Sequence, residues 1–363
     1  RHIIKMAAPR ALFGVLLISA GAADAFSSSL LSSSFLPGTS RASLSLSHRS
    51  SAAPAGRTVA EGAVGLDMLV DVPKQVLVTG ASGRTGFAVF KLLWENPKDF
   101  VAQGFVRSEK GAKMLEKIGA SLGDSDSIKT SNAKLRALGM PADDEDPDIF
   151  LGDISDMASL APAMRNCDAL VICTSGVPKL RKTELFKSIL SKLIGRQRMP
   201  KFYYETMPEQ IDWEGCRNQI DVAKEAGVDH IVLVSSMGVS PAKNNGDNIL
   251  NKIGDGNILV WKAKAEEYLA ASGVDYTIIH PGGLLNKAGG EREIVLGVND
   301  ELLDAYESLG ATRAIPREDV AMLVVQALRH KELVTNMSFD CVSKAPGEGK
   351  PTMSFAPLFE ALS

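Results

Sequence analysis

Residues 75–94 read QVLVTGASGRTGFAVFKLLW. Val76, Leu77 and Val78 make the short apolar run of a strand buried on both faces. Gly80, Gly83 and Gly86 follow at three-residue intervals, and Phe87, Val89, Phe90, Leu92 and Leu93 then recur at helical spacing. Strand, glycine turn and helix in this order form a phosphate-binding unit. Gly80 allows the tight turn, Gly83 lets backbone approach a pyrophosphate, and Gly86 lets the helix pack against the strand. The unpaired N–H groups and positive dipole end of the helix then face the anion, which makes Gly80, Ser82, Gly83, Arg84, Thr85 and Gly86 candidate cofactor contacts. No Gly-Lys-Ser/Thr follows, so this is not a Walker loop.

Outward from that unit the chain alternates strands and helices, the pattern of an α/β fold with a parallel sheet. Strands are expected at Val101–Val106, Ile149–Gly152, Asp168–Cys173, His230–Val234, Tyr276–Ile279, Arg292–Leu296 and Met337–Val342. Helices are expected at Glu209–Ala226 with Gly227 as stop, Ile258–Ala271, Arg317–Arg329 and Ser354–Leu362. Ser155 is expected to cap a helix running to about Met164, and Ser240–Gly256 to be loop. Leu180–Pro208 is either part of a substrate rim or a surface excursion. The expected fold is α/β, one Rossmann-type domain over residues 73–363 with a doubly wound parallel sheet in the order 3-2-1-4-5-6-7. A surface insertion is expected over 120–148, where the run around Asp143–Asp148 is a solvated acidic stretch and not a metal site.

The second strand ends in Arg107-Ser108. An acid there would bind the ribose 2′-OH of NAD, and an arginine accommodates the 2′-phosphate of NADP. Arg107, with Arg84 in the glycine loop, points to NADP(H); Glu109 keeps NAD open, and two solvated surface arginines are the alternative. Thr174 and Ser175 follow the fourth strand, at the carboxyl edge where ligands lie.

The chain has 363 residues, 45% hydrophobic and 23% charged, with net charge −3. Residues 1–58 carry six Lys/Arg and one acid, so 34 basic and 42 acidic residues remain. That balance argues against a nucleic-acid-binding body. Four cysteines without a CxxC pair read as free thiols, and five scattered histidines give no metal site. Residues 1–25 are signal peptide-like, with Met6 as the natural start, an apolar stretch Ala11–Ala20 and Ala23-Asp24-Ala25 as cleavage pattern. Residues 26–72 are transit peptide-like or linker: Phe26 at the junction, then twelve serines and no acid over 27–51. Together they form a disordered targeting segment similar to the two-part plastid address of algae with secondary plastids; plain secretion is the alternative. No other stretch reaches the length of a membrane span, so no stable membrane insertion is expected.

VTGASGRTG, FVRSEKG, LGDISD, DALVICTSGVP, PEQIDWEGCRNQIDVAKEAGV, HIVLVSSMG, NILVWKAKAEEYL, YTIIHPGGLL and IPREDVA span residues 75–320 in order. Together they resemble the atypical short-chain dehydrogenase/reductases, in particular the NAD(P)H-binding group of small chloroplast NADP-binding proteins and the dehydrogenase-like part of the Tic complex component. The resemblance implies that Asp153 and Ile154 lie beside the adenine and that Pro281, Gly282 and Gly283 border the cofactor. Typical members use Tyr-x-x-x-Lys, the lysine lowering the tyrosine pKa for proton exchange. Here Lys262 places Ile258 at the tyrosine position, and Lys264 places Val260 there. Three readings remain: an oxidoreductase with Lys262 holding the nicotinamide ribose and Ser235 or Ser236 orienting an unknown small substrate; a non-catalytic NADP(H)-responsive binding protein with a plastid partner; or an epimerase or lyase with bound cofactor. A structural role for Lys262, Ser235 and Ser236 stands beside all three, and His280 reads as structural.

Overall fold

The computed structural model describes residues 73–122, 147–193, 200–244 and 248–362. The expected targeting segment and most of the expected acidic insertion lie outside them. Asp71–Ser363 form one compact unit.

Eight strands make the central sheet: β1 (Lys74–Thr79), β2 (Phe100–Val106), β3 (Ile149–Leu151), β4 (Ala169–Ile172), β5 (His230–Val234), β6 (Asp275–Pro281), β7 (Ile294–Gly297) and β8 (Met337–Ser343). Their order is β7-β8-β6-β5-β4-β1-β2-β3. Every pairing is parallel except β7 with β8. The expected order therefore holds from the third strand through the sixth to the C-terminal strand. The correction lies at the far edge, where β7 pairs antiparallel outside β8. It follows β6 without a crossover helix, and an antiparallel edge strand is a common end to an otherwise parallel sheet.

The strand alternation explains the two layers. Val76 and Val78 face one side with Val171 and Val232, beneath α1 (Arg84–Trp94), α2 (Glu109–Glu116) and, later in the chain, the helix Arg317–Arg329. Leu77, between them, faces the other side with Leu170, Ile172, Ile231 and Leu233, beneath α3 (Cys216–Ala226) and α4 (Ile258–Ala271). The helix Arg317–Arg329, α5, packs mainly on α1. Each fully buried large side chain contributes roughly 1.5–3 kcal/mol, and the period-2 switch of faces is what a sheet covered on both sides requires.

Three local expectations are corrected. Asp156, not Ser155, caps the turn Met157–Leu160, its carboxylate accepting from the Ala158 N–H at 3.0 Å. Ser155 is occupied with Asp153. Residues 209–226 are not one regular helix, because Glu209–Gly215 is π-helical and only then does α3 begin. The expected loop 240–256 contains a helical turn, Ile249–Lys252, capped by Asn248 and tied to α4 through Asn251, whose Oδ1 accepts from the Leu259 N–H at 2.9 Å. Beyond β4, Lys179–Leu180 pairs antiparallel with Phe202–Tyr203, and helix Lys182–Leu193 lies between them in the chain. No helix among the described residues is long and apolar enough to cross a membrane.

Candidate cofactor and active site

The glycine loop closes as its spacing demands. Gly80 sits at φ +68, a left-handed conformation that favours glycine. A Cβ on Gly86 would lie 2.2 Å from the Gly80 carbonyl oxygen, so only a hydrogen there lets α1 start so close to the turn. Gly83 caps α1 without a side chain, and Phe87 is the first residue whose N–H reaches back to the Gly83 carbonyl, at 2.7 Å. The N–H groups of Arg84, Thr85 and Gly86 find no acceptor among the described residues. A cradle whose walls exclude a Cβ and whose open donors point outward fits a dinucleotide pyrophosphate.

The residues expected beside the adenosine lie at neighbouring strand ends. Ser108 caps α2, accepting from the Gly111 N–H at 3.3 Å. Gly111 in turn leaves no room for a Cβ against the Ser82 side chain, so the second strand's end is docked on the glycine loop. Arg107 is exposed. Its charge helps hold the Asp153 carboxyl below the usual range, after the larger effect of the Ser155 N–H that donates to it. Ile154 packs where Gly215 lacks a side chain, and its carbonyl accepts from Asn218 at 3.1 Å.

The opposite side is built from charges. Lys262, on α4, is buried and paired with Asp212 at 3.0 Å, the acid fully enclosed. Asp212 also accepts from the Ser175 hydroxyl and the Gly176 N–H, both at 2.8 Å, and so pins the loop after β4. Its position depends on the π-helical segment, whose wide turns recur at functional sites. Thr174 accepts from Gln219 at 3.2 Å. Cys173 and Cys216 flank the pair, and burial pushes both thiols up to about 12, keeping them protonated. Tyr204, from the excursion, lies within reach of the Asp212 charge; burial and that charge push its phenol up to about 12.

One turn past Lys262, Glu266 accepts a hydrogen bond from the Ser235 hydroxyl. Its other oxygen meets His280 Nε2 at 3.0 Å, and His280 Nδ1 meets Asp340 at 3.3 Å. Burial alone would lower the His280 pKa, but the two carboxylates outweigh it and raise it to about 9.

The structure thus brings Lys262, Ser235, Thr174 and Ser175 to the same end of the sheet and separates Lys264. The Lys264 ammonium lies on the outer surface, 4.3 Å over the Trp213 ring. Ser236 donates to the adjacent Met237 carbonyl. Pro281 ends β6, while Gly282 and Gly283 are shaped by the close backbone of Arg313, Gly283 N–H donating to its carbonyl at 2.7 Å. The sequence reading missed Asp212, Glu266 and Asp340. Only Glu266 left a trace, at i+4 from Lys262; the others lie 36 or more residues from their partners, where no spacing rule reaches.

The family model described as NAD(P)H-binding matches residues 130–331. The sanguinarine reductase of Eschscholzia californica is 43% identical over 300 residues, covering 79% of this chain and 96% of that protein. An uncharacterized chloroplastic protein of Arabidopsis thaliana is 44% identical over 289 residues, 79% of this chain and 75% of its own. Among solved structures, a putative NAD-dependent epimerase/dehydratase from Bacillus halodurans superposes with TM-score 0.51 at 21% identity, over 80% of this chain and all of that one.

Proposed function

The chain belongs to the NAD(P)H-binding family, and from that membership we propose that it is an NADP(H)-dependent oxidoreductase acting on a small substrate. The observation that carries this reading is the convergence, on helix α4, of buried Lys262 with the Glu266 that holds Ser235. They meet at the carboxyl ends of β4 and β5, next to the loop pinned by Asp212. That is where the reactive end of a dinucleotide lies in such sheets. The nicotinamide, when bound, supplies a hydride.

The chain's residues supply the rest. The open N–H groups of Arg84, Thr85 and Gly86 hold the pyrophosphate, and Arg107 with Ser108 holds the 2′-phosphate, which selects NADP over NAD. Asp153 and Ile154 border the adenine. Lys262 keeps ammonium hydrogens beyond the one given to Asp212, and these hold the nicotinamide ribose. Pro281, Gly282 and Gly283 border the nicotinamide. Ser235 faces the substrate; Ser236, turned to Met237, is the lesser candidate. The likeness to a reductase over nearly its whole length supports net reduction over an epimerase or lyase reaction.

We place the protein in a plastid. Support comes from the chloroplastic relative and from the serine-rich, acid-free leader. A fluorescent fusion carrying residues 1–72 should enter plastids; a secreted fusion overturns the address.

Calorimetry with NADPH and NADH, followed by an NADPH-oxidation screen against quinones, flavins, small carbonyls and sanguinarine, tests the activity. Tight NADPH binding with acceptor-dependent oxidation is the expected result. Binding without oxidation by any acceptor would favour an NADP(H)-responsive binding protein, and turnover without net oxidation an epimerase or lyase.

A further inference from the structure

The site lacks the tyrosine that would exchange a proton with a reduced oxygen, yet a hydrogen-bonded chain runs inward from Ser235. It passes from the Ser235 hydroxyl to Glu266 Oε1, from Glu266 Oε2 to His280 Nε2 at 3.0 Å, and from His280 Nδ1 to Asp340 Oδ1 at 3.3 Å. Ser235, His280 and Asp340 are buried; Glu266 keeps a small exposed edge, 14% of its side chain. The charges of Lys262, Asp212 and Glu266 all act on the single buried thiol of Cys216, which places this chain beside the Lys262–Asp212 pair.

We propose that Glu266 is the acid–base group of this site, exchanging its proton with the substrate oxygen through the Ser235 hydroxyl. This rests on the oxidoreductase reading above. At rest Glu266 Oε1 accepts from the Ser235 hydroxyl; in reduction Glu266, first loaded with a solvent proton at its exposed edge, gives its Oε1 proton to Ser235 Oγ while the Ser235 hydroxyl proton passes to the substrate oxygen. The carbon of that C=O group takes the hydride, so one hydride and one proton convert the carbonyl to a hydroxyl; from a quinone the resulting hydroxyketone then tautomerises to the hydroquinone, its C–H proton moving to the second oxygen. Glu266 is left as a carboxylate and recovers a proton from solvent at its exposed edge. In oxidation each transfer reverses.

His280 and Asp340 are positioning residues. Asp340 from β8 and Glu266 from α4 are the charged groups facing the imidazole. Pinned by both, the ring holds Glu266 Oε2 so that Oε1 is left for Ser235. One Asp340 oxygen has no partner among the described residues, which concentrates that acid on the imidazole. The substrate class follows: a ketone, aldehyde or quinone, whose product oxygen needs a proton.

The test uses the full chain with 1,4-naphthoquinone as acceptor. Ser235→Ala and Glu266→Gln should each lower kcat by about 100-fold, the usual size of an acid–base contribution. NADPH affinity by calorimetry should change by no more than about threefold, and the double variant should be no slower than either single one, as for groups on one path. A separate arm needs no turnover: in the cofactor-free chain the His280 imidazole signal, identified with His280→Asn, should titrate near pH 9 and shift downward in Glu266→Gln. An active wild type whose Ser235→Ala and Glu266→Gln losses multiply, or remain within about threefold, overturns the relay alone. A His280 signal titrating at the ordinary histidine value does the same. A wild type that binds NADPH and never oxidises it overturns the oxidoreductase reading and the relay together.

Discussion

The half of the candidate site on β1 to β3, proposed for the adenosine, and the half on β4 to β6, proposed for the reaction, are made of different material. The first is backbone: a left-handed glycine, a helix start too close for a Cβ, open N–H groups and an exposed arginine. The second is buried charge: Lys262 on Asp212, and His280 between Glu266 and Asp340. Backbone cradles are local and stop working at one misplaced methyl. Buried ion pairs are long-range, and their net worth depends on both partners being present. Substitutions in the two halves should therefore fail in different ways.

The largest effect is expected at Gly86. An alanine methyl placed 2.2 Å from the Gly80 oxygen must move the loop or the helix. Gly86→Ala should abolish detectable heat with NADPH, and overpacking of this kind costs roughly 1–3 kcal/mol or more of stability. Retained binding would show that the cradle is plastic and would erase the contrast. Next is Asp212→Asn, which leaves the Lys262 ammonium buried without its counter-charge. About 3–5 kcal/mol of destabilisation is expected in denaturant unfolding. The double change with Lys262→Met should recover most of it; additive losses would mean that the pair is not coupled.

The pH dependence of stability sharpens the contrast, because two histidines act oppositely. The folded pKa of His280 is raised to about 9, so its contribution is complete below the unfolded value near 6.5 and is lost as pH rises through about 9. His230, at the amino end of β5, is lowered to about 4, mainly by burial, with Lys331 adding to it. The folded form resists its protonation, so stability is complete above about 6.5 and is lost as pH falls toward 4. Unfolding free energy should peak near the unfolded histidine pKa. His280→Gln should flatten the alkaline limb and His230→Gln the acid one; an unchanged alkaline limb in His280→Gln would remove the cationic imidazole from the account.

Arg107→Ala should weaken NADPH binding about tenfold and spare NADH, the scale of one exposed charged contact to a phosphate. Equal loss of both would reassign Arg107 to the surface. The smallest effect is expected for Lys264→Ala, which removes exposed contacts over Trp213 and, more distantly, Trp261, worth about 0.5–1 kcal/mol each. A large loss of activity there would mean that Lys264, not Lys262, serves the site.

The sequence by itself determined the sheet from β3 through β6 to β8, the glycine cradle and the NAD(P)H-binding family. Those rest on short-range rules: period-2 burial, a Cβ that cannot fit, a helix that begins after a turn. The two candidate lysines were legible as alternatives, because both sit on one helix at adjacent spacings. Only the tertiary structure set them apart, turning Lys262 inward to Asp212 and Lys264 outward to Trp213. It alone placed β7 antiparallel at the edge, and it alone joined Ser235, Glu266, His280 and Asp340. The physical reason is that burial turns distant charges into obligatory partners. A sequence shows which residues carry charge, but only the packed fold shows which of them have left water and which group each must then find.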